Sequence, residues 1–236
     1  MRQLAVMCFF ALISFISSAQ ISSAAFYKLA FKANSEKDYK SAQHNIEKAI
    51  QLNSKFDSAY YLQGLISFKQ EKYKLATKQF SKTLSINPDY FDAIYARGCA
   101  KAEAEDYIGA IKDFNTIILL QPTNVKAYYN RALAKTHLAD YPPAIIDLDE
   151  AINLNPTYTT AYYSRGYCKD LAGDYNGAIV DYQKTIALDS TYREAYIALG
   201  NALYQHGEKT QACEVYKGAA QKGSVMAEEL IIKLCD

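Results

Sequence analysis

AYYSRGYCKD at 161–170 has two close copies upstream, AYYNRALAKT at 127–136 and AIYARGCAKA at 93–102, each 34 residues from the next. The interval extends well beyond these three. Stepping by it from Ala42 reaches Ala76, Ala110, Ala144, Ala178 and Ala212 without an insertion or deletion. A fixed period of this length signals an array of small units, each of which buries its apolar face against its neighbours. With that alanine numbered position 20, the units are 23–56, 57–90, 91–124, 125–158, 159–192 and 193–226. A short lead-in, 20–22, precedes them and residues 227–236 follow.

Within a unit, the apolar residues at positions 4, 8 and 11 fall at helical spacing. Position 8 reads Ala30, Gly64, Gly98, Ala132, Gly166 and Gly200, small residues that let two helices approach. Asp38, Asp106, Asp140 and Asp174 at position 16 are suited to cap a second helix, and Pro142 sits just inside its start. Pro88, Pro122 and Pro156 at position 32 end it. Each unit therefore reads as two antiparallel helices.

The totals agree with this. Half of the chain is hydrophobic, with no Trp, only 10 Gly and 5 Pro, and 21 Tyr. Residues 1–19 differ from the rest: Arg2, a run from Leu4 to Ile16 that is apolar apart from Ser14, then Ser17-Ser18-Ala19 before Gln20. That pattern predicts a secretory signal peptide cut between Ala19 and Gln20, hence a periplasmic or secreted protein; the alternative is an uncleaved anchor. Losing Arg2 with the leader turns 26 Lys+Arg against 25 Asp+Glu into 25 against 25. A chain without net charge gives no pull toward nucleic acid, and no insertion in a membrane is expected after cleavage.

The units resemble tetratricopeptide repeats, whose pattern has an aromatic at 4, Gly at 8, Ala at 20, an aromatic at 24 and Pro at 32. The match is good at those positions and departs at 7 and often at 11 and 27. The resemblance covers 23–226 and implies an all-α, right-handed solenoid of six stacked helix pairs with first helices lining a concave face. Residues 227–236, with Leu230, Ile231 and Leu234 on one stripe, read as a capping helix.

Position 7 is Arg in three units only, Arg97, Arg131 and Arg165, and the same units carry Asp113, Asp147 and Asp181 at position 23. These two positions face each other across an antiparallel hairpin, which predicts three intra-repeat ion pairs. The alternative, an Arg row for acidic ligands, is disfavoured because each Arg has a matched carboxylate. Tyr27, Tyr61, Tyr95, Tyr129 and Tyr163 recur at position 5, which by the resemblance tends to face the groove. The same geometry adds Lys126, Asn130, Leu133, His137, Thr160, Ser164, Tyr167 and Asp170 as groove liners. Flat, amphipathic Tyr suits a protein or peptide ligand, although packing within the repeat would explain it too. The clamp by which some of these repeats grip an acidic chaperone tail is missing, since Tyr95, Cys99, Thr160 and Ser164 replace its other groups.

Cys99 and Cys168 lie two units apart and should stay free, whereas Cys213 and Cys235 could meet if the last helix folds back; two buried thiols are the alternative. His44, His137 and His206 occupy unrelated positions, and no catalytic or metal-binding motif occurs. No enzyme activity, metal or cofactor is expected. The reading is an adaptor of the cell envelope that binds a peptide or protein in its groove. The alternatives are a glycan- or cell-wall-binding module and a structural subunit acting through its convex face.

Overall fold

The computed structural model describes residues 22–235. The leader expected at 1–19 and its predicted cut site lie outside them. All regular structure among the described residues is helical, in thirteen helices. The chain divides into two compact units, one ending at Tyr90 and the other beginning at Phe91.

In the first unit, α1 (Ser23–Ser35) pairs with α2 (Tyr39–Leu52), and α3 (Asp57–Lys69) pairs with α4 (Tyr73–Ile86). Its core gathers Ala30, Ala42, Ile46, Ala59, Leu62 and Ile66. The second unit holds four more hairpins: α5 (Phe91–Glu103) with α6 (Tyr107–Leu120), α7 (Val125–His137) with α8 (Tyr141–Leu154), α9 (Thr159–Leu171) with α10 (Tyr175–Leu188), and α11 (Arg193–His206) with α12 (Lys209–Gln221). A single helix, α13 (Val225–Leu234), packs on α12. Within each unit the hairpins stack in chain order, as in an all-α solenoid.

All six alanines at position 20 have no exposed surface. Across the hairpin, position 8 and position 24 are matched pair by pair. A Cβ added at Gly98 would stand 2.8 Å from the Phe114 ring, and one at Gly166 would stand 2.9 Å from the Tyr182 ring. Where position 8 already carries a methyl group, at Ala30 and Ala132, position 24 is the slimmer Ile46 or Leu148. The ring and the missing Cβ are two halves of one fit.

The turn between paired helices is also repeated. Position 15 is left-handed in every hairpin: Lys37, Glu71, Glu105 and Ala139 have φ of 57–65°, and Gly173 and Gly207 have φ of 83° and 97°. Asp38, Asp106 and Asp174 then cap the second helix by accepting from the backbone N–H of Ser41, Gly109 and Gly177. Asp140 does not, contrary to the sequence expectation. The residue three places on is Pro143, which has no N–H to donate.

The final helix starts at Val225, two residues before the expected capping segment. Ser224 accepts from the Ala227 N–H and so starts a new helix early. Cys213 of α12 and Cys235, just past α13, form a disulfide with Cα atoms 5.8 Å apart. Leu230, Ile231 and Leu234 pack against the core around Tyr216. Cys99 and Cys168 are free.

Candidate functional site

The arginines at position 7 each meet the aspartate of their own hairpin through two nitrogens. Arg97 donates from Nε and Nη2 to Asp113 at 2.9 and 2.7 Å, and Arg165 does the same to Asp181 at 2.9 and 2.6 Å. Arg131 donates to both oxygens of Asp147. A second cation joins each pair: Lys101, Lys135 and Lys169 lie 2.7–2.8 Å from the same three carboxylates. The aspartate side chains are at most 5% exposed, so each carboxylate is held inside by two cations. Burial alone would lower the Arg165 pKa, but Asp181 and Asp149 outweigh it and hold the guanidinium charge more firmly than usual. Arg131 also reaches Asn115, and Arg165 reaches Asp149, both on the preceding hairpin. Two of the triads thus tie hairpin to hairpin, and all three engage their arginines with a carboxylate.

The lysine of the triad was missed from the sequence, yet its signal was present. Position 11 is Lys in the three units that carry Arg at 7 and Asp at 23, and Ala33, Ser67 or Leu203 in the others.

The position-5 tyrosines are half-buried in both units. In the first, Tyr27 packs on Phe56 and Tyr61 on Phe80 and Tyr90, with ring centroids 4.9–5.7 Å apart. In the second, Tyr95 packs on Phe114, Tyr129 on Tyr158, and Tyr163 on Tyr182 and Tyr192, at 5.0–5.9 Å. Two hydroxyls are also taken: Asn130 Nδ2 donates to the Tyr95 oxygen at 2.7 Å, and Ser164 Oγ to the Tyr129 oxygen at 3.4 Å. Burial raises the Tyr95 pKa. Packing within and between hairpins therefore claims much of each ring.

What remains open in the second unit is a set of hollows between its helices. Cys99, Asn130, Leu133 and His137 line one of about 310 Å³, beside a stacked Tyr107–His137 pair with centroids 4.6 Å apart. Lys126, exposed, lines another with Asp92 and Tyr95. Tyr163, exposed Tyr167, Asp170, Ile197 and Asn201 line a third, of about 390 Å³, between α9 and α11. Ser164 is buried, and half-buried Thr160 lies beside the Tyr158 hydroxyl, so neither opens into these hollows. No cluster of three or more metal-ligating side chains occurs among the described residues. Nor is any described helix long and apolar enough to cross a membrane.

Family models described as tetratricopeptide repeat match residues 57–90 and 125–158, and one described as TPR repeat matches residues 171–207. With hairpins of this build repeated at one period, the chain is a tetratricopeptide repeat protein. A search among curated proteins gives no match. The solved structure of MamA is 26% identical, with a TM-score of 0.66 over 75% of this chain and 94% of its own. YrrB, a TPR protein with an unusual peptide-binding site, is 18% identical, with a TM-score of 0.68 over 78% of this chain and 95% of its own. PilW, a widely conserved type IV pilus biogenesis factor, is 19% identical, with a TM-score of 0.74 over 89% of this chain and 98% of its own. The likeness to the last two is one of fold.

Proposed function

We propose that this protein is an exported adaptor of the cell envelope that holds a peptide or protein segment against the first helices of its second unit. The observation that carries this is the placement of the three hollows described above. They lie along α5, α7, α9 and α11 and mix exposed aromatic surface with polar groups, as at Tyr167, Asp170 and Asn201. A pre-organised surface of this kind binds without ordering itself first. The peptide-binding site of YrrB and the pilus role of PilW are in keeping with the reading. Export is supported by the leader at 1–19 and by the Cys213–Cys235 pair, since disulfides persist in oxidising compartments.

A second reading has its own observation. On second helices, Ile108, Leu119, Ile146 and Val180 are 62–80% exposed, which would suit an assembly that docks on the outer face. The glycan reading is weaker, because the tyrosines at position 5 are already packed on other rings.

In-cell photo-crosslinking separates the two. A photoreactive residue at Tyr167 should give a discrete adduct, with none from the same probe at Ile146 or at exposed Lys112. An adduct from Ile146 alone would move function to the second helices. N-terminal mass analysis of the isolated protein tests export, and a chain beginning at Gln20 is the expected result.

A further inference from the structure

We propose that the hollow between α9 and α11 is a receptor for one cationic side chain, a lysine or arginine of the bound segment. This rests on the groove reading and adds the chemistry of the ligand.

Four oxygen-bearing groups meet there without partners. The Asp170 carboxylate makes no hydrogen bond and no ion pair among the described residues, although burial raises its pKa. Tyr182 has no exposed surface, and its hydroxyl is orphaned. The hydroxyls of Tyr163 and Tyr167, which line the same hollow, have no hydrogen-bond partner among the described residues either.

The sequence explains why the orphans collect at this place. In the next hairpin, Tyr216 occupies the position of Tyr182, and its hydroxyl donates to Asn201 Oδ1 at 2.7 Å. The residue equivalent to Asn201 in the fifth hairpin is Tyr167, which is too long to offer an acceptor in that spot. Tyr95 and Tyr129 are met by Asn130 and Ser164 of the following hairpin, but Tyr163 is followed by Ala198, which has no polar group.

A buried unsatisfied hydroxyl and an uncompensated carboxylate both cost stability in the empty protein. An ammonium or guanidinium group offsets the second of these costs directly, by compensating the carboxylate. It supplies several donors to oxygens that can all accept, and it gains from the faces of the aromatic rings. An anion would be repelled by Asp170 and by Glu194, which lines the same hollow. The cation already on the wall, Arg193, is exposed and pairs with neither carboxylate. Lys233 lines the neighbouring hollow, which also has Asp170 on its edge, but forms no ion pair with it. Ser224 and Met226, at the start of α13, also line the hollow.

The test is an NMR titration of the purified protein with acetyl-Gly-Gly-Lys-Gly-Gly-amide and with the same peptide carrying norleucine. The lysine peptide should shift the amide resonances of Tyr163, Tyr167, Asp170 and Asn201. The norleucine peptide should bind at least about tenfold more weakly, the size of a hydrogen bond to a charged group. The isosteric Asp170→Asn variant should lose the same factor while keeping the wild-type spectrum elsewhere. Equal shifts from both peptides would overturn the cation site and leave the groove reading intact. Shifts from neither would also overturn it, with the groove then decided by the crosslink at Tyr167. Shifts from chitotriose but not from the lysine peptide would replace the cation with a sugar.

Discussion

Between α7 and α8 lie Arg131, Lys135 and Asp147; at the three equivalent positions between α11 and α12 lie Leu199, Leu203 and Val215. The hairpins have the same period, the same buried alanine and a left-handed residue at the same place in the turn. One is filled with charge and the other with hydrocarbon. The shared alanine and turn fix the approach of the helices, and the filling is a separate choice. A buried ion pair gives little net stability over hydrocarbon of similar volume, yet it tolerates the loss of a partner badly. The hairpins of Arg131 and Arg165 also link to the hairpin before them through Asn115 and Asp149, which hydrocarbon cannot do by directed bonds. The last hairpin is fastened instead by the Cys213–Cys235 bond.

The largest effect should come from Asp147→Ala. It leaves two cations inside one hairpin and should cost about 3–5 kcal/mol in urea unfolding. Replacing all three residues with those of the last hairpin, as Arg131→Leu, Lys135→Leu and Asp147→Val, should instead be neutral or stabilising by up to about 4 kcal/mol. A triple variant as unstable as the single one would break the equivalence of the two fillings. Next is the fastening: Cys235→Ser should lower stability by about 3 kcal/mol, the value for a closed loop of this length. Reductant should reproduce the loss in the wild type and leave the variant unmoved.

A smaller effect belongs to the fit that charged and apolar hairpins share. Gly98→Ala should cost about 1–3 kcal/mol by pressing a methyl group into the Phe114 ring. Phe114→Leu should recover most of that in the double variant, as thermal unfolding would show, because Ala132 and Leu148 already coexist. The smallest effect is at the turn. Ala139 holds φ of 57°, so Ala139→Gly should raise stability by roughly 0.5–1 kcal/mol on relief of backbone strain.

The period made the hairpins legible before any coordinates, because a buried alanine every 34 residues leaves one register open. Reading position 7 against position 23 worked for a similar reason, since two helices of fixed spacing bring those residues face to face. The lysine at position 11 stands in the sequence only as one of the departures from the repeat pattern. A single repeat gives no reason to link it to the pair, and only the unit-by-unit covariation does. The Asp140 cap failed on one residue, Pro143, whose effect lies in a missing hydrogen. The hollow at Asp170 was the least visible feature. It is made of polar groups that fail to meet, and a sequence shows which residues are present more readily than which remain unpaired.

The match between position 8 and position 24 constrains how such a gene can change. Recombination that exchanges a whole hairpin carries glycine and ring, or alanine and aliphatic residue, together. A crossover inside the turn, joining α7 to α6 in place of α5, would set Ala132 against Phe114. The heritable module is therefore the hairpin, and duplications that divide it should be rarer than those that keep it whole.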